Sequence, residues 1–151
     1  MADMDKGLDA DLLGDKIKDL LNIDPTSLGN EIQRGPKIYN ELMKLHRSES
    51  RVLRKWMVTY NKLERQRFKY YDGKGGDGKF YKENPLPEPI MTKETINKYM
   101  KIDPFLVECA EIVADCEHKV KMLEDAMKRC TQRGYEIKTL LDWMKFQQGA
   151  Y

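Results

Sequence analysis

The chain has 151 residues, 34% charged and 40% hydrophobic, and its 27 Lys/Arg against 25 Asp/Glu leave a formal net charge of +2. Globular domains average about 25% charged and about 45–50% apolar residues, so this composition favours helices packed along a seam over a large compact core, in one domain or one with appendages. It has no run of about 18 apolar residues to span a bilayer, no apolar centre in its acidic N-terminus to serve as a secretory signal, and an odd three cysteines, which argue against a disulfide framework and for a reducing cytoplasm.

In chain order, residues 10–21 predict a short amphipathic helix carrying Leu12, Leu13, Ile17, Leu20 and Leu21. Asn22 and Asp24-Pro25 end it, and Thr26 or Ser27 can cap the next helix. From Ser27 to Tyr71, alternating steps of four and three give Leu28, Ile32, Gly35, Tyr39, Leu42 and His46, then Glu49, Leu53, Trp56, Tyr60, Leu63, Arg67 and Tyr70. Ile38, Leu45 and Val52 widen this stripe, whose 3.5-residue period marks helices packing along a seam. Pro36 lacks an amide proton and clashes with the carbonyl one turn back, which predicts a break or kink at Gly35-Pro36. The helix from Pro36 to Tyr71 would be about 54 Å long at about 1.5 Å per residue. A compact domain of this size is only about 38 Å across, so the helix either projects or is covered by partners.

Four glycines between Asp72 and Gly78 end the long helix in a turn. Residues 84–89, with three prolines, read as extended or looped, and Met91–Ile102 reads as a short strand or hairpin arm. Asp103-Pro104 opens a C-terminal helix, Asp as cap and Pro at the first helical position. Its stripe runs through Phe105, Cys109, Ile112, Cys116, Val120, Leu123, Met127 and Cys130. Arg133-Gly134 reads as a break, after which Tyr135, Ile137, Leu140, Leu141 and Met144 supply a last amphipathic helix. The fold class is therefore mainly α: a long kinked helix, a Gly-rich turn with a small β-hairpin, then C-terminal helices.

Charge is concentrated in one place. Residues 44–82 hold twelve Lys/Arg and four acids, a local net of +8, whereas residues 1–43 net −4 and residues 83–151 net −2. On the long helix Arg47, Arg51, Arg54, Lys62, Arg65 and Lys69 fall roughly opposite the apolar seam at 100° per residue. Most charge runs are solvated faces that mix signs. Here Glu49 and Glu64 are the only acids between Lys44 and Tyr71, which favours a polyanionic partner. Beyond them, basic residues alternate with Phe68, Tyr70, Tyr71, Phe80 and Tyr81. At least one of Phe68, Tyr70 and Tyr71 is expected in the core, while Tyr71, Phe80 and Tyr81 flank the glycine loop and are expected to be accessible. Cations suit a phosphate backbone and open rings suit unstacked bases, so the pattern points to single strands over duplex.

Catalysis is not legible. Residues 73–79 match the first seven positions of a phosphate-binding Walker A loop, but Phe80 stands where Ser or Thr must ligate Mg²⁺, and the loop follows a helix instead of a strand. Its amides can still cradle a nucleic-acid phosphate. Cys109, Cys116 and Cys130 share one helix face as small seam residues, and neither they nor His46 and His118 show a zinc spacing. No catalytic set, metal site or cofactor is expected.

The run RQRFKYYDGKG at 65–75 resembles the signature of the UvsY family, the recombination mediators of large tailed bacteriophages: a basic–x–basic pair, an apolar and a polar residue, Tyr-Tyr and a Gly-rich turn. QRGYEIKTLLDWMKFQQG at 132–149 is similar to that family's C-terminus, and IDPTSL at 23–28 to its N-terminal helix entry. The resemblance implies a mainly helical protein without enzymatic activity that forms ring-shaped homo-oligomers (hexamer or heptamer class) through its C-terminal region. It implies binding of single-stranded DNA, displacement of the single-strand DNA-binding protein and loading of the RecA-like recombinase UvsX, in the cytoplasm of the infected bacterial host. Carried over by position, Arg65 and Arg67 are the implied DNA contacts. Arg54, Lys62, Lys69, Lys74 and Lys79 join them on charge, and Tyr70 and Tyr71 as rings. Arg65 stands where the family has Lys, Gly35-Pro36 interrupts the long helix, and the glycine loop is extended.

The expected organisation places the long helix and DNA-binding region in 1–82, a linker or hairpin in 83–102, and helical oligomerisation in 103–151. Seven engaged cations would give a log–log salt slope near −5, at about −0.7 per phosphate neutralised. The rival reading is a coiled-coil adaptor for protein partners, without DNA binding.

Overall fold

A computed structural model describes residues 4–73, 78–88 and 91–149. Five helices follow in chain order, α1 (Ala10–Leu21), α2 (Leu28–Tyr71), α3 (Gly78–Glu83), α4 (Lys93–Ile102) and α5 (Pro104–Gln147), with no strand among the described residues. The protein is mainly α. No helix among the described residues is long and apolar enough to cross a membrane. The chain divides into two compact units, Met1–Val52 with Asp115–Tyr151, and Leu53–Ala114.

The first unit begins with α1, where the sequence placed it. The Asp9 carboxylate accepts from the amides of Asp11 and Leu12 and so satisfies donors that no helical carbonyl reaches. Leu13, Ile17 and Leu21 recur every four residues, are buried, and join Ile38 and Leu42 of α2 with Leu123 and Ala126 of α5 in one core. Leu12 faces solvent instead. Asp24 closes the turn before α2 by accepting from both the amide and the hydroxyl of Thr26.

Two expected helix breaks do not occur. Pro36 lies inside α2, and α5 runs through Arg133 and Gly134 to Gln147. Both are overridden by the same tertiary contacts. Leu28 and Glu31, ahead of Pro36, are buried, and the Glu31 carboxylate pairs with Arg133 of α5 and with Arg34. Arg133 also donates to the Glu31 carbonyl at 2.7 Å and to the Asn22 carbonyl at 3.3 Å. Proline inside a helix costs about 3 kcal/mol; burial of Leu28 recovers about 1.5–3 kcal/mol of this. Arg133 is thus a seam residue, not a break.

A second buried pair joins Glu49 of α2 to Lys119 of α5 at 3.3 Å. The segment before α1 covers it. The Leu8 amide donates to Glu49 Oε1 at 2.9 Å, and Lys119 Nζ donates to the carbonyls of Lys6 and Leu8. Gly7, at φ +75°, passes directly against the Glu49 carboxylate, where a Cβ would collide. The observed seam of α2 in this unit is centred on Glu31, Ile38, Leu42, Glu49 and Val52, while Ile32 and Tyr39 are exposed. Leu42 and Glu49 of the stripe read in the sequence are buried, as are Ile38 and Val52 that widen it, while Glu31 takes the buried place expected of Ile32.

In the second unit, residues 93–102 are helical, not a strand or hairpin arm. The Thr92 hydroxyl caps α4 by accepting the Thr95 amide at 3.2 Å. Ile96 is buried and Tyr99 and Met100 are half-buried, a helical spacing on one face. β-branched Thr and Ile favour strand by propensity, but propensity yields to packing. Asp103 then caps α5 as expected, its Oδ1 accepting from the amides of Phe105 and Leu106 at 3.0 and 3.1 Å.

Candidate nucleic-acid interface

The second unit contains residues 53–71 of α2, with Arg54, Lys55, Lys62, Arg65, Arg67 and Lys69 against the single acid Glu64. Arg54, Lys62, Arg65 and Lys69 are exposed, and none of them enters an ion pair among the described residues. Steps of eight, three and four residues keep them on one helix face. Glu64 lies about 100° around the helix from Arg65. The result is an array of exposed cations with no acid of α2 in this unit on its own face.

Arg67 is built differently. It lies on the packed face, and its side chain is only 19% exposed. Nε donates to Asp103 Oδ2 at 2.7 Å, and the same oxygen accepts the Tyr71 hydroxyl at 2.7 Å. Its guanidinium carbon lies 4.4 Å from the centroid of the Tyr70 ring, 5.4 Å from that of Tyr71 and 4.9 Å from that of Phe105. Burial disfavours the guanidinium charge, but Asp103 and Tyr71 outweigh it and raise the Arg67 pKa. Burial likewise opposes the Asp103 carboxylate, yet the Tyr71 hydroxyl, Arg67 and the Leu106 amide together hold its pKa below 3.8. The Tyr71 phenol is pushed above 10.0 by burial and by the carboxylate it donates to.

The tyrosine pair also belongs to the architecture. Tyr71 is 5% exposed and stacks on Tyr99 at 5.9 Å, which corrects its expected accessibility. Tyr70 is half-buried, donates towards the carbonyls of Asn84 and Pro85, and stacks on Tyr81 at 6.0 Å. The most open rings of this unit are Phe68, Phe80 and Phe105. Phe105, read as a seam residue, is 51% exposed. It is the second residue of α5, so Leu106 and Cys109 carry the packing there. Lys74 lies outside the described residues, as does the side chain of Lys79.

The sequence therefore brought Arg67, Tyr70 and Tyr71 into one cluster with Asp103 and left Arg54, Lys62, Arg65 and Lys69 on the open face. It did not reveal Asp103 as the partner of Arg67. An Asp-Pro pair carries a capping signal and nothing that points to a helix 36 residues away. Cys109 and Cys116 are buried, and burial raises both thiol pKa values. Among the described residues no group of His, Cys, Asp and Glu could hold a metal ion.

A helix that carries a cationic face, with a ring-lined clamp about 180° around it, offers a surface suited to a polyanion. The family model described as "Recombination, repair and ssDNA binding protein UvsY" matches residues 16–150, and the chain belongs to the UvsY family. No curated protein and no solved structure gives a significant match.

Proposed function

We propose that this protein is a recombination mediator that binds single-stranded DNA and loads a RecA-like, UvsX-type recombinase onto strands covered by single-strand DNA-binding protein. Membership of a family described by recombination, repair and ssDNA binding supports the general role. The observation that carries the site is the face formed by Arg54, Lys62, Arg65 and Lys69, cationic and unpaired among the described residues. Each neutralised phosphate releases counterions, so affinity comes from the number of such contacts. In the sequence, Lys74 and Lys79 add two further cations after α2. Arg67 contributes its charge to the local field and its geometry to the clamp.

Assembly into a homo-oligomeric ring in the host cytoplasm completes the reading. Exposed Trp143, Met144 and Phe146 near the end of α5 offer apolar surface for self-association. Several weak sites on one strand then gain avidity without new contacts. The test is single-strand affinity of Arg65→Ala/Lys69→Ala across a salt series. Weaker binding with a shallower slope is expected. Unchanged affinity together with unchanged salt dependence would favour the coiled-coil adaptor.

A further inference from the structure

The motif rings do not provide the stacking surface. Tyr71 is buried with its hydroxyl on Asp103, and Tyr70 is stacked on Tyr81 with its hydroxyl on backbone carbonyls. Phe105 differs in three respects. About half of its surface is open to solvent, the Arg67 guanidinium lies 4.9 Å from its centroid, and its amide is held by Asp103 Oδ1. A single exposed phenylalanine is ordinary on a protein surface. Phe105 is instead an oriented ring: the ion pair that fixes Arg67 also fixes the cation beside it, and the cap fixes its backbone. Little conformational freedom is left to lose on binding. The exposed apolar Ile102 lies three residues before it, at the end of α4.

We propose that Phe105 is a base-stacking residue of the single-strand site, held in orientation by Arg67 acting as a positioning residue. This rests on the single-strand-binding reading above and extends it. Arg67 lies about 180° around α2 from the exposed cations, so Phe105 takes an unpaired base through its π-face, which every base offers, from a strand that turns around α2 away from its cationic face. An open ring favours single strands, because duplex bases present no free face. Arg67 carries the Nε hydrogen bond and the planar contact at once, and lysine reproduces neither.

The test uses the full-length protein with two fluorescent oligonucleotides of equal length, an oligothymidylate and an abasic sugar-phosphate strand. Phe105→Ala should weaken oligothymidylate binding by about 5- to 150-fold, the loss of one base stack, and leave abasic binding and the salt slope unchanged. Phe105→Trp should keep its affinity and show emission quenched by oligothymidylate but not by the abasic strand, relative to the unsubstituted protein with Trp56 and Trp143. Arg67→Lys, with circular dichroism confirming the fold, should lose thymidylate affinity selectively. Equal loss on both strands, or no loss on either, overturns the proposal. So does normal binding of both strands by Phe105→Ala combined with lost recombinase association, which would assign the ring to a protein partner. If the unsubstituted protein binds neither strand, the single-strand reading itself fails, a result distinct from all of these.

Discussion

Arg67 Nε and Asp103 Oδ2 lie 2.7 Å apart, and the carboxylate that receives this bond is fully buried while its other oxygen caps α5. One side chain thus joins α2 to the start of α5 and caps that helix at the same time. Removing one partner of a buried pair strands the other without compensation. Asp103→Ala should destabilise the protein by about 3–5 kcal/mol, read as a lower urea midpoint. Asp103→Asn keeps the capping oxygen and should fall between Asp103→Ala and the unsubstituted protein.

The same cluster sets a pH window. Asp103 has its folded pKa below the unfolded value of 3.8, so its contribution is intact above that value and is lost as pH falls through the lowered pKa. Tyr71 has its folded pKa above 10.0, so its contribution is intact below pH 10 and is lost as pH rises through the raised pKa. Unfolding followed against pH should therefore show an acid limb that Asp103→Asn flattens and an alkaline limb that Tyr71→Phe flattens.

Arg65 and Arg67 should part company when each is replaced. Arg65→Ala/Lys69→Ala removes exposed side chains and should leave stability within about 0.5 kcal/mol. It should reduce the magnitude of the salt slope by about 1.4, from two phosphate contacts at about 0.7 each. Arg67→Ala should lower the melting temperature markedly and weaken thymidylate binding beyond what its unfolded fraction accounts for. An unchanged melting temperature would contradict the clamp.

Gly7 makes a sharp local test. Its φ of +75° and its contact with the Glu49 carboxylate leave no room for a side chain. Gly7→Ala should cost about 1–3 kcal/mol and expose the 4–8 segment to proteolysis. Glu49→Ala, which strands Lys119, should cost about 3–5 kcal/mol.

Continuity of α5 can be checked at Gly134. No atom lies within 4 Å of a Cβ built there, and its backbone is helical. Gly134→Ala should stabilise the protein by about 0.4–1 kcal/mol, seen as a higher urea midpoint. A loss of stability would mean that the helix needs glycine there.

Periodicity made α1, most of α2 and the start of α5 legible before any coordinates, because regular burial of Leu13, Ile17, Leu42, Trp56 and Leu123 leaves a regular trace in the sequence. Local rules failed where a distant partner reversed their sign. Pro36 and Gly134 are helix breakers in isolation, and each lies near a buried ion pair that holds the helix through it. Thr92 and Thr95 favour strand by propensity, but a hydroxyl cap and buried Ile96 make α4 a helix.

The charge asymmetry, the helical class and the cationic face of α2 follow from composition and spacing, since like charges at helical intervals share a face whatever the chain packs against. Which cations stay free was a tertiary matter. Arg65 and Arg67 stand two residues apart, about 200° around the helix. Asp103, 36 residues on, turns one of them into an anchor and leaves the other in solvent.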